Sequence, residues 1–150
     1  MIGKELEMRI NDCFFSDTMT GSEYNELRQA VGWKPITDRQ ADRGIAHTTF
    51  IVAARDKDKI VGMGRALFDF GYTAYIGDVI VKPDYQGKGI GKSIVETLIY
   101  KVKESSDPDD RIMFILGAAK GKEGFYEKLG FVKRPNENSG CGMFMWIKNN

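Results

Sequence analysis

Apolar and polar positions recur along this chain at two spacings, and the switches between them mark out the elements. Leu6, Met8 and Ile10 alternate loosely, so the span from Leu6 to Phe15 reads as a first strand. Thr20-Gly21-Ser22-Glu23 is a capping-box pattern, and Tyr24, Leu27 and Val31 follow on one helix face, with Gly32 placed to stop it. Thr37-Asp38-Arg39-Gln40 opens a second, short helix that stops near Gly44. Thr48 to Ala54 is rich in β-branched and aromatic residues, Arg55 to Lys59 is a charged turn, and Ile60 to Phe68 is a second strand, giving a hairpin. Asp69-Phe70-Gly71 turns the chain again into a strand from Tyr72 to Val81. Ile90, Ile94, Leu98 and Val102 then form an i, i+4 stripe with lysines and a glutamate off it, predicting an amphipathic helix. Arg111 to Leu116 reads as a buried strand, Gly121 to Gly130 as a short helix, and Phe131-Val132 and Gly142 to Ile147 as a closing hairpin.

The strand from Tyr72, the striped helix and the strand from Arg111 make a βαβ crossover, so those two strands should run parallel. Thr48 to Ala54, Ile60 to Phe68 and Tyr72 to Val81 follow one another by short turns and should form an antiparallel meander. The prediction is an α/β fold over residues 1–150, one domain, with helices packed on a central mixed sheet.

One stretch carries more chemistry than the rest. Val79, Ile80 and Val81 are a β-branched run with the composition of a strand covered on both faces, Pro83 ends its ladder, and Gln86-Gly87-Lys88-Gly89-Ile90-Gly91-Lys92-Ser93 leads into the helix. A glycine loop at a helix N-terminus offers unpaired amides and the positive end of the helix dipole, which suits a phosphate. A P-loop would need glycine where Gln86 stands. A dinucleotide fingerprint would need glycine where Lys92 stands, and it would open the first βαβ unit.

Gln86-Gly87-Lys88-Gly89-Ile90-Gly91 instead resembles the pyrophosphate loop of the GNAT superfamily of acyl-CoA N-acyltransferases. Phe125-Tyr126-Glu127-Lys128-Leu129-Gly130-Phe131 is similar to that family's second signature, and Gly32-Trp33 to a Gly-Trp found in many members. The element order agrees over essentially the whole chain. The resemblance implies a mostly antiparallel sheet of about six or seven strands, helices on both faces, and a splayed parallel pair. It implies acetyl-CoA as acyl donor and direct transfer to the primary amine of a small molecule. Backbone groups of Val79, Ile80 and Val81 would hold the pantetheine arm, and the amides from Gly87 and Lys88 through Gly89, Ile90, Gly91 and Lys92 to Ser93 would hold the pyrophosphate. Gln86 would brace the loop, Lys88 or Lys92 would add charge, and Phe125 would supply the apolar side of its helix. The segment after Leu116 lacks the asparagine many members place there, so Lys122 is the substitute contact to CoA phosphate.

Acetyl transfer needs a base for the amine proton, a donor for the oxyanion and an acid for the departing thiolate. Tyr126, with a phenol pKa near ~10, sits where the family carries its acid. Asp78 is the one acid in an otherwise apolar strand. It is either the base, tuned by burial, or a structural carboxylate beside a strand bulge. His47 is a weaker base candidate. An amide near Val79 or Ile80 is the natural oxyanion donor. Tyr24, Trp33, Phe68, Phe70, Tyr72 and Phe144 are candidates to line the acceptor pocket, though aromatic core packing competes for most of them.

Composition narrows the alternatives. The 150 residues carry a formal net charge of +1, with 42% hydrophobic and 29% charged positions and no single-sign run, which argues against nucleic acid or an anionic membrane as main partner. Cys13 and Cys141 form no CxxC pair and His47 is the sole histidine, so no metal site is expected, and both thiols should be core. No apolar run nears the ~20 residues of a membrane span and the charged start is no signal peptide, so a cytoplasmic location is the expectation. The apolar terminal strand makes a homodimer a candidate assembly. Two rival functions stand: a non-catalytic acyl-CoA-binding domain and a nucleotide phosphotransferase.

Overall fold

The computed structural model describes residues 9, 10 and 12–149. They divide into two compact units, Met1–Leu116 and Gly117–Asn150. The first holds a six-stranded sheet in which every strand neighbours the next in sequence. Its strands are β1 (Arg9–Ile10), β2 (Cys13–Ser16), β3 (Phe50–Asp56), β4 (Lys59–Phe68), β5 (Thr73–Val81) and β6 (Met113–Ile115). All pairs are antiparallel except β5 with β6, which is parallel, as the crossover requires.

The helices form where their caps and stripes direct. α1 (Gly21–Ala30) begins on a complete capping box, with Thr20 accepting from the Glu23 amide and the Glu23 carboxylate accepting from the Thr20 amide. Gly32 takes φ +78° just past its end. α2 (Asp38–Ala46) is capped by Thr37 and runs two residues past the expected stop at Gly44. α3 (Ile90–Glu104) buries Ile90, Ile94, Leu98 and Val102 almost completely.

α1 and α2 pack on one face of the sheet, where Tyr24, Leu27 and Ala41 meet Ile51, Ala53, Met63 and Ile80. α3 packs on the other face, over β4, where Gly62 and Gly64 lie beneath Ile90, Ile94 and Leu98. A β-carbon at Gly64 would fall 2.5 Å from Ile94 Cγ2 and 3.1 Å from Leu98 Cδ1. Glycine is therefore what lets α3 approach the sheet this closely.

Several boundaries differ from the sequence reading. The Leu6–Phe15 strand is a hairpin, turned at Asp12 with φ +63°; Leu6 and Met8 lie outside the described residues. β3 begins at Phe50 and extends to Asp56, so the charged turn shrinks to Lys57 (φ +55°) and Asp58. β6 is three residues long rather than Arg111 to Leu116. It sits at the sheet edge with Met113 and Ile115 exposed, not covered on both faces. Cys13 is buried as expected, but Cys141 is exposed and in no strand.

The second unit holds α4 (Glu123–Glu127). The two strands expected at Phe131-Val132 and Gly142–Ile147 do not form; one isolated bridge joins Asn136 and Ser139. Residues Met143 to Ile147 are at least 75% exposed, Phe144 at 88%. Apolar alternation does not make a strand without a ladder to join, and this unit supplies none. Among the described residues, no helix is long and apolar enough to cross a membrane.

Candidate active site

The centre of the first unit is a bulge in β5. Arg65 pairs with Gly77, yet Met63 pairs with Ile80, so β5 carries one residue more than β4 across this interval. That residue is Asp78, whose φ is +50°. Asp78 turns its carboxylate to the α1 face, while Val79 remains opposite Gly64 on the α3 face.

Its Oδ2 accepts a hydrogen bond from the Tyr24 hydroxyl at 2.7 Å and one from Arg65 Nε at 2.6 Å. Oδ1 lies 3.7 Å from Arg28 Nη1. Arg65 Nη1 donates to the Thr48 hydroxyl at 3.1 Å, which in turn donates to the Gly44 carbonyl at 2.7 Å and so anchors the end of α2. The Arg28 guanidinium lies 5.5 Å from the Tyr24 ring centroid and 5.6 Å from that of Trp33, and its Nε donates to the Lys34 carbonyl at 3.0 Å. Burial, and then the Asp78 charge and hydrogen bond, push the Tyr24 phenol above its ordinary pKa. Burial pulls the Arg65 guanidinium down, but its bond to Asp78 and that group's charge outweigh this and hold it above its usual value.

The glycine loop follows directly. The Lys82 amide donates to Val61 O, Pro83–Tyr85 form a single 3-10 turn, and the Gln86 side chain reaches back to donate to Val81 O at 2.9 Å. Gly87 and Gly89 take φ +75° and +83°, which only glycine adopts without strain, and a β-carbon on either would meet nothing within 4 Å. The loop thus faces open space. Gly91 has entered α3 and lacks the left-handed backbone of the other two. Gly89 caps α3 with no side chain, leaving the first-turn amides to a ligand or solvent. Lys88 Nζ stands 5.2 Å from the Tyr85 ring centroid, and Lys92 is 3.8 Å from Glu96. Ile90 and Ser93 are buried beneath the loop.

β5 itself is open on one side. Its parallel ladder with β6 covers only Thr73–Tyr75, so from Ile76 to Val81 that edge has no partner strand among the described residues. Val79 and Val81 are accordingly half-buried rather than covered on both faces. An extended ligand arm can hydrogen-bond along such an edge, and its phosphate end would meet the glycine loop. The residues present therefore fit an acyl-CoA.

The aromatic candidates separate. Tyr24 and Trp33 join the Asp78 cluster through Arg28. Phe68 is buried on the α3 face and packs against Phe70 at 5.1 Å, and Phe70 and Tyr72 are exposed at the β4–β5 turn. His47 ends α2, exposed, with Nδ1 against the Arg43 carbonyl. Within the second unit, Tyr126 is half-buried between Phe125 and Phe131, at 4.9 and 5.9 Å between ring centroids, and Gly130 takes φ +95°. Lys122 and Phe144 are exposed there. The sequence reading missed Arg28 and Arg65. Arg65 had a signal, being the charge in the run Ile-Val-Gly-Met-Gly-Arg-Ala-Leu-Phe, as Asp78 is in its own strand.

In this α/β domain an open strand edge leads into a glycine loop and a helix N-terminus, an arrangement that suits a phosphate-bearing, chain-like ligand. The model of the acetyltransferase (GNAT) domain matches residues 46–133, a span that runs across both units. The chain belongs to the GNAT acetyltransferase family and is an N-acetyltransferase by descent. It is 29% identical over 136 residues to the uncharacterized N-acetyltransferase ycf52 of Porphyra purpurea, covering 87% of this chain and 76% of that one. It is 36% identical over 94 residues to the chloroplastic GCN5-related N-acetyltransferase 2 of Arabidopsis thaliana, covering 63% of this chain but 34% of the longer protein. The crystal structure of SA2161 from meticillin-resistant Staphylococcus aureus, a probable acetyltransferase, superposes with a TM-score of 0.79 at 30% identity, over 90% of this chain and 99% of that one.

Proposed function

We propose that residues 1–150 form one catalytic domain that transfers an acetyl group from acetyl-CoA directly to the primary amine of a small molecule. The observation that carries the reading is the unpaired β5 edge running into Gly87 and Gly89. Acetyl-CoA supplies an activated thioester, whose C–S bond is exchanged for a C–N bond to the acceptor while CoA is released. Backbone groups of Val79 to Val81 hold the pantetheine arm, and the amides of Gly87 to Ser93 hold the pyrophosphate, with charge from Lys88, Lys92 and Lys122. The amide of Val79 or Ile80 donates to the acetyl oxygen as negative charge develops there. Asp78 takes the amine proton at Oδ1, directly or through a water; its Oδ2 is taken by Tyr24 and Arg65. Tyr126 gives its phenolic proton to the departing sulfur, a role supported by its place in the second signature.

Titration calorimetry with acetyl-CoA tests the first half of this reading: saturable binding is expected, and its absence removes the proposal. Transfer is tested by following CoA release across amines. Binding without release toward any amine would favour the non-catalytic acyl-CoA-binding alternative. Tyr126→Phe should lower turnover by about 10²-fold while leaving acetyl-CoA affinity near wild type. Unchanged turnover removes Tyr126 from the mechanism.

A further inference from the structure

The Asp78 cluster holds two guanidiniums against one carboxylate. Tyr24 adds no negative charge, because burial and the neighbouring Asp78 keep its phenol protonated at neutral pH. The half-buried cluster therefore carries an excess positive charge. Arg65 is matched directly by the carboxylate, its Nε 2.6 Å from Asp78 Oδ2 and its Nη1 on Thr48. Arg28 is not, since its Nη1 stands 3.7 Å from Oδ1. Its Nε is tied to the Lys34 carbonyl and its plane is held between Tyr24 and Trp33, so its direction is fixed. Yet among the described residues no acceptor is hydrogen-bonded to its Nη2, although the side chain is only 16% exposed. Among the described residues no fully buried polar side-chain atom lacks a partner, so Nη2 is open to solvent and within reach of a ligand. Beside it, Asp78 Oδ1 accepts no hydrogen bond among the described residues and lies 3.7 Å from Arg28 Nη1.

From this pairing we infer that the acceptor is an amine that also carries an anionic group, a carboxylate or a phosphate, with the anion on Arg28 and the amine at Asp78 Oδ1. The inference rests on the acetyl-transfer reading and narrows it. An anion on Nη2 completes the cluster's charge balance with a charge-assisted contact. A polyamine or a lysine-rich tail would meet net positive charge and leave Arg28 unanswered. The same positive surroundings favour the neutral form of the amine, which is the nucleophile. Two surface clefts of the first unit include none of these groups. One, about 460 Å³, runs from Asp17 to Phe50 and Lys101; the other, about 500 Å³, lies between α1 and α2.

The test compares matched amines that differ only in the anion: phenylalanine with phenethylamine for the carboxylate, and glucosamine 6-phosphate with glucosamine for the phosphate. The anionic member of at least one pair should have the higher kcat/KM, by about tenfold or more, and the pair that responds identifies the anion. Arg28→Gln should reduce kcat/KM for that member about tenfold more than for its neutral partner, chiefly through KM, with Arg28→Lys intermediate. The urea midpoint and acetyl-CoA affinity of each variant separate this from a folding defect. Equal use of both members in each pair, a preference for the neutral members, or an equal loss for both in Arg28→Gln overturns the inference. Acetyl-CoA binding with no transfer to any anionic amine also overturns it and leaves the acetyl-CoA reading standing. Failure to bind acetyl-CoA defeats the earlier reading instead.

Discussion

The two faces of the β4–β5 pair are built from opposite materials. On the α3 face, Gly62 and Gly64 let Ile90, Ile94 and Leu98 sit directly on the sheet. On the α1 face, the same two strands present Arg65 and Asp78, joined by Tyr24 and Arg28. One face is held by shape, with a tolerance of a fraction of an ångström. The other is held by charge, and each member depends on its partners being present. The difference shows where a scaffold ends and a site begins on a single pair of strands.

Breaking the charged face should have the largest effect. Asp78→Ala leaves two half-buried guanidiniums without their counter-charge and puts alanine at φ +50°, so a loss of roughly 3–5 kcal/mol in urea unfolding is expected. Adding Arg65→Leu to Asp78→Ala should recover part of that loss, since the stranded charge is then removed. Simple additivity of the two would show that the cluster is not coupled. The apolar face should be less sensitive to a minimal change. Gly64→Ala sets a methyl 2.5 Å from Ile94 Cγ2 and should cost about 1–3 kcal/mol through overpacking, read in the same experiment. An effect equal to that of Asp78→Ala would erase the contrast between the faces.

The smallest effect concerns pH. Tyr24 has its folded pKa raised above the ordinary 10.0, so the folded state holds its proton more tightly than the unfolded state. Its contribution is complete below about pH 10 and is lost as pH rises from there toward the raised value. Tyr24→Phe should therefore show a shallower decline in stability above pH 10 than wild type, and identical slopes would remove Tyr24 from the charge balance.

The apolar face was legible in the sequence because each of its signals is local. The Ile90, Ile94, Leu98, Val102 stripe, the Thr20–Glu23 box and the glycine loop can all be read within a few residues. The charged face was half legible. Asp78 stood out in an apolar strand, but its partners lie 54 and 13 positions away, and nothing short-range pairs them. The terminal strands failed for the same reason in reverse. Gly142 to Ile147 has a strand's composition, but a strand exists only through a neighbour, and composition names none.

The bulge at Asp78 has a meaning for how such a site arises. Because Gly77 faces Arg65 and Ile80 faces Met63, taking Asp78 out altogether would bring Val79 into register with Gly64 and leave an unbroken alternation, each neighbour keeping its own side. The carboxylate is thus an addition to the sheet rather than a replacement within it. A gain or loss of one codon would install or delete the charged centre while the rest of β5 carries on as before, which makes chemistry and scaffold separable at a single position of the gene.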